Sequence, residues 1–90
     1  MEFEWDEGKR RRVLRERGLD FLDATVLFDG RPLLTVPSSR SAEERWLGIG
    51  LIEGRLIAAI WTLRGERVRI ITMRRARHEE KRRYRALFGR

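Results

Sequence analysis

The spacing of apolar and polar positions changes several times along the chain, and each change marks a predicted element. Phe3-Glu4-Trp5 alternates and predicts a short first strand. Asp6 is of an N-capping type, and Glu7 suits the positive end of the helix that follows. Lys9 to Arg17 reads as a basic surface helix with a thin inward seam of Val13 and Leu14, ended by Gly18. Asp20 caps a second helix in which Phe21, Leu22, Thr25 and Phe28 recur at helical spacing and are expected in the core. Asp29-Gly30 stops it. Leu33 to Val36, bracketed by Pro32 and Pro37, predicts a short edge strand, and the polar stretch Ser38 to Glu44 a mobile loop.

Three strands are then expected in succession: Arg45 to Ile52, Arg55 to Leu63 and Arg67 to Met73, with turns at Glu53-Gly54 and Arg64-Gly65-Glu66. The middle one is apolar on both faces and belongs at the centre of a sheet. In the last, alternation places Val68, Ile70 and Thr72 on one face, and Arg67, Arg69, Ile71 and Met73 on the other. From Arg75 the period becomes helical, with Ala76, Glu80, Tyr84, Leu87 and Phe88 along one side. The predicted order is β-α-α-β-β-β-β-α. This is an α+β fold: an antiparallel β-sheet with two N-terminal helices and one C-terminal helix.

Length and composition narrow the picture. Ninety residues enclose one modest core, and no repeat or linker divides them, so residues 1–90 are expected to form a single domain. The chain has no cysteine and one histidine, His78, which excludes disulfides, thiolate metal sites and an imidazole-rich zinc site. No cofactor or metal is expected. The longest apolar run, Leu56 to Leu63, is too short for a membrane span, and no signal-peptide pattern opens the chain. A cytoplasmic protein without membrane contact is the expectation.

Charge is unevenly spread. Residues 1–45 carry nine Lys/Arg against ten Asp/Glu, a net of −1; residues 46–90 carry twelve against four, a net of +8. Eleven of those twelve cations are arginines. Such asymmetry is an electrostatic footprint for a polyanion or an acidic protein. Arginine suits phosphate better than lysine does, because its planar fork binds oxygens in pairs.

Several segments taken together resemble the BrnT toxins in order and spacing over nearly the whole chain. They are Phe3-Glu4-Trp5-Asp6 with Lys9, the turn from Gly18 to Phe21, Glu43-Glu44-Arg45, and above all Thr62-Leu63-Arg64-Gly65-Glu66-Arg67-Val68-Arg69-Ile70-Ile71-Thr72-Met73-Arg74. The resemblance implies a RelE-like fold and a ribonuclease toxin of a type II toxin–antitoxin module. It also implies a BrnA-like antitoxin of the ribbon-helix-helix DNA-binding type, and autoregulation in which the toxin–antitoxin complex binds operator DNA. The chain departs from the family pattern at Val13, Glu16-Arg17, Trp61 and Thr72. At Arg17 and Trp61 the change removes an imidazole that would most naturally move protons.

Metal-independent RNA cleavage needs a group that deprotonates or orients the 2′-OH and donors that stabilise the added charge on phosphorus. Arg64, Arg69 and Arg74 are the candidates for phosphate, with Arg69 foremost; a solvated charged face is the bland alternative for any one of them. Lys9, early in a helix beside free N–H groups, is an auxiliary cation, or else a surface lysine paired with Asp6 or Asp20. Tyr84 lies on the inward seam of the last helix and matches a family tyrosine, giving an orienting or proton-handling hydroxyl or simply a core tyrosine. Arg10, Arg67, Arg75 and Trp61 are expected to contact RNA, Trp61 by stacking on bases. Glu44 and Glu80 are possible bases, each equally able to pair with arginine, and His78 reads as an idle surface histidine. Two rival expectations stand beside the nuclease: a toxin scaffold that only binds its antitoxin, and a RelE-like toxin that poisons a protein target such as a topoisomerase.

Overall fold

The structure, a computed structural model, describes residues 1–38 and 44–89. Along them run β1 (Glu2–Trp5), α1 (Glu7–Arg17), a 3₁₀ helix (Phe21–Phe28), β2 (Leu34–Ser38), β3 (Arg45–Ile52), β4 (Arg55–Arg64), β5 (Arg67–Arg75) and α2 (His78–Phe88). The loop expected between Ser38 and Glu44 falls largely outside the described residues, as does Glu43. No helix among the described residues is long and apolar enough to cross a membrane.

The strands form one sheet in the order β1-β5-β4-β3-β2. It is mixed, not antiparallel as expected. β2 to β5 pair antiparallel, but β1 lies parallel to β5, with Glu2 opposite Arg67 and Glu4 opposite Arg69. The two helical segments after β1 carry the chain to the opposite edge before β2 begins, and no short turn forces β1 to run against its neighbour. The β3–β4 turn is a two-residue one, Glu53 and Gly54 both at positive φ (50° and 78°), the geometry that matches strand twist in a tight hairpin.

A β-bulge resets β5. Ile60 pairs with Thr72 while Trp61 pairs with Ile70, leaving Ile71 as the extra residue. The expected alternation therefore changes phase at Ile71. Met73 joins Val68 and Ile70 in the core on one face instead of sharing a face with Arg69. Thr72 and Arg74, opposite Ile60 and Ala58, take the side of Arg67 and Arg69.

Each face of the sheet has its own core. On the first, Val13 of α1 and Phe21, Ala24 and Leu27 of the 3₁₀ helix pack on Ile57, Ala59, Val68, Ile70 and Met73. On the second, Tyr84 of α2 packs with Leu34, Ile49, Leu56, Ala58 and Ala76. The second helix was expected to be α-helical, with Leu22 in the core. It is a 3₁₀ helix, and its inward residues recur every third position, which leaves Leu22 exposed. Leu14 and Leu87 also stay exposed. The glycines of β3 make room for this layer: a Cβ on Gly50 would lie 2.8 Å from Leu27 Cδ2. α2 starts later than the sequence suggests, because Arg75 still pairs with Ile57 and the Ala76 N–H donates to the Leu56 carbonyl (3.0 Å).

Candidate functional site

The β4–β5 hairpin turns at Gly65-Glu66 and sets Arg64 opposite Arg67 and Thr62 opposite Arg69. Residues opposite one another share a face, so Arg64, Arg67 and Arg69 project from the same side of the sheet. The parallel register of β1 adds Glu2 and Glu4 to that side. Arg69 Nη1 donates to Glu4 Oε2 at 2.9 Å, with both side chains about a quarter exposed. Arg67 lies 3.1 Å from Glu2 and 3.7 Å from Glu4. Arg64 makes no ion pair among the described residues. The hydrogen bond from Arg69, with the charges of Arg69, Arg67 and Arg64, holds the Glu4 carboxyl below its ordinary 4.5, against the opposing effect of desolvation. Glu4 is thus held in its carboxylate form among a cluster of guanidinium groups.

The other predicted residues lie elsewhere. Arg74 shares the arginine face through the bulge, but its fork is taken up by Glu80 (2.8 and 2.9 Å). Glu80 also accepts from the Arg77 N–H (2.7 Å), so this pair fastens the first turn of α2 to the sheet. Arg74 lowers the pKa of Glu80, and Glu80 raises that of Arg74. Tyr84 and Arg75 line a cavity at the far end of β5, remote from the hairpin. The distance from Arg69 to Arg75, six residues of strand, is roughly 20 Å.

Lys9 rides on α1, four residues before the buried Val13, and makes no ion pair among the described residues; its backbone N–H donates to the Asp6 cap (2.9 Å). Arg10 grips Asp20 through two hydrogen bonds (2.8 and 3.1 Å) and reaches Glu7 (2.7 Å), which ties α1 to the cap of the 3₁₀ helix. Asp20 is lowered and Arg10 raised in pKa by this contact. Trp61 is on the opposite face from the hairpin arginines. It stacks on Trp46 (centroids 5.0 Å apart) and meets Phe28 edge-on (5.1 Å), with a buried Nε1 that has no hydrogen-bond partner among the described residues. Arg17 donates to the Met73 carbonyl (2.8 Å), on the edge of β5 beyond the end of β1.

Sequence reasoning missed Glu4, though a signal was present: Glu2-Phe3-Glu4-Trp5 and Arg67-Val68-Arg69-Ile70 alternate in step with opposite charges.

Fold and site define a small α+β domain whose mixed sheet carries a carboxylate–arginine centre at one hairpin. The model of the ribonuclease toxin BrnT of type II toxin–antitoxin systems matches residues 5–80, and the chain belongs to that family. Among curated proteins no sequence matches it. Membership implies a toxin role, ribonuclease activity at the level of the family, and an antitoxin partner.

Proposed function

We propose that the protein is a RelE-like toxin that cleaves single-stranded RNA without a metal, at the β4–β5 hairpin, and thereby blocks translation. The observation that carries this reading is the β1–β5 register, which sets Glu4 against Arg69 on the face of Arg64 and Arg67. Glu4 accepts the proton of the 2′-OH. The 2′-oxygen attacks phosphorus, the bond to the 5′-oxygen breaks, and the leaving oxygen takes its proton from water. The products are a cyclic phosphate and a 5′-hydroxyl. Arg69 and Arg64 hold the non-bridging oxygens and stabilise the charge that builds on them. Arg67 supports this from Glu2 and Glu4, and Lys9 contributes long-range attraction. Arg74 and Arg10 act as structural clamps, and a BrnA-like ribbon-helix-helix antitoxin is the expected partner, its complex with the toxin binding operator DNA.

The test is incubation of pure protein with end-labelled RNA in excess chelator. Cleavage to cyclic-phosphate ends that persists in chelator and is lost in both Arg69→Ala and Glu4→Gln is expected. An inert wild type would overturn the reading. A second reading has its own observation: Arg67, Arg69 and Arg74 are already held by carboxylates, as in a scaffold that only binds its antitoxin. On that reading the wild type binds antitoxin and leaves RNA intact.

A further inference from the structure

At the end of the sheet away from the hairpin, the start of β4, the end of β5 and the middle of α2 line an open cavity of about 530 Å³. Its charged lining is Lys81 and Arg85 of α2 with Arg55 and Arg75 from the strand ends, and among the described residues no carboxylate lines it; Arg55 also borders the neighbouring hollow that holds Asp20, Asp23 and Glu53. None of the four makes an ion pair among the described residues. The hairpin is different: there Arg64, Arg67 and Arg69 stand among Glu2, Glu4 and Glu66. Net positive potential is therefore concentrated in the cavity, above all at Lys81 and Arg85. Like charges held around one hollow repel each other, and a bound polyanion relieves that repulsion.

The shape of the cavity favours a nucleic-acid strand over an acidic peptide. Its volume falls in the range of small-ligand sites and suits one nucleotide with its phosphate. Leu56 gives it an apolar wall, and Tyr84, packed against Phe88 (centroids 4.8 Å apart), contributes a rigid ring. Arginine forks with a fixed phenol beside them are suited to phosphate oxygens. α2 packs on the sheet face that carries the hairpin arginines, so one strand can touch both places across roughly 20 Å.

We propose that this cavity is a second phosphate-binding subsite, which grips the RNA a few nucleotides from the scissile bond; this rests on the reading that the chain acts on RNA. The test measures binding of a fluorescein-labelled 12-nucleotide 2′-O-methyl oligouridine, which cannot be cut because its 2′-oxygens are blocked. Lys81→Gln/Arg85→Gln is compared with the charge-matched Arg12→Gln/Arg15→Gln on α1, both checked for folding by thermal denaturation. The cavity variant is expected to bind about tenfold more weakly, with a salt slope shallower by about 0.7 per lost contact, and the control to change less than about threefold. Equal losses in both variants would overturn the subsite, as would displacement of the probe by oligoglutamate more effectively than by unlabelled RNA. A selective loss in the cavity variant keeps the subsite even where the wild type proves unable to cleave RNA. Cleavage by a wild type whose binding ignores Lys81 and Arg85 keeps the nuclease and removes the subsite.

Discussion

At the hairpin the hydrogen bond from Arg69 orients Glu4 and is the largest of the effects that lower its pKa. In the proposed reaction Glu4→Gln removes the proton acceptor, and cleavage is expected to fall about 10²–10⁴-fold. Arg69→Ala removes a charge-stabilising donor and is expected to cost about 10²–10³-fold. Rate against pH separates the two effects. Because the pKa of Glu4 is lowered, the active carboxylate form persists below its ordinary 4.5 and is lost only as pH falls through the lowered value. In Arg69→Ala the acid limb of the residual activity is expected to move up toward 4.5. An acid limb above 4.5 in the wild type would remove Glu4 from this role. The arginine half of the centre was legible in the sequence, since R-G-E-R-V-R reads as a charged hairpin. The carboxylate half was harder to read: the opposite charges of Glu2–Trp5 and Arg67–Ile70 alternate in step, but a four-residue strand does not by itself say which edge it joins.

Among the elements, the strands of the meander were legible to within one or two residues at most ends, because their alternation is long and their turns carry glycine. Two features escaped. A bulge leaves no mark in a pattern where Ile70 and Ile71 are both apolar, yet it sends Met73 inward and Arg74 outward. The 3₁₀ helix escaped because Phe21, Leu22, Thr25 and Phe28 also fit a period of 3.6, and only packing selects a period of three. That packing makes Gly50→Ala a direct test: the added methyl meets Leu27, and a loss of about 1–3 kcal/mol in urea denaturation is expected. At α2, Glu80→Gln weakens the clamp on Arg74 and the cap at Arg77, with an expected loss of about 1–3 kcal/mol. Its pH signature follows from the lowered pKa. The contribution of Glu80 is fully present above 4.5 and lost as pH falls through the folded value, and Glu80→Gln should flatten that part of the stability curve.

For the molecule as a whole, a net charge of +7 understates the contrast between its two ends. The hairpin pairs Arg67 and Arg69 with glutamates, whereas among the described residues the far cavity is lined by cations and no carboxylate. RNA affinity is therefore expected to fall steeply with salt, by about 0.7 in log K per decade of salt for each neutralised phosphate. A flat response in a titration from low to high salt would argue against any grip on the backbone.

The pairing of β1 with β5 also sets the order of events during synthesis. Glu4 and Arg69 are separated by 65 positions, so the centre closes only after more than three-quarters of the chain has been made. Closing so large a loop is expected late in folding, since the intervening strands form the edge that receives β1. On the proposed mechanism a nascent chain therefore lacks the centre until β5 has been made. Fragments ending before β5 should carry no nuclease activity at any concentration.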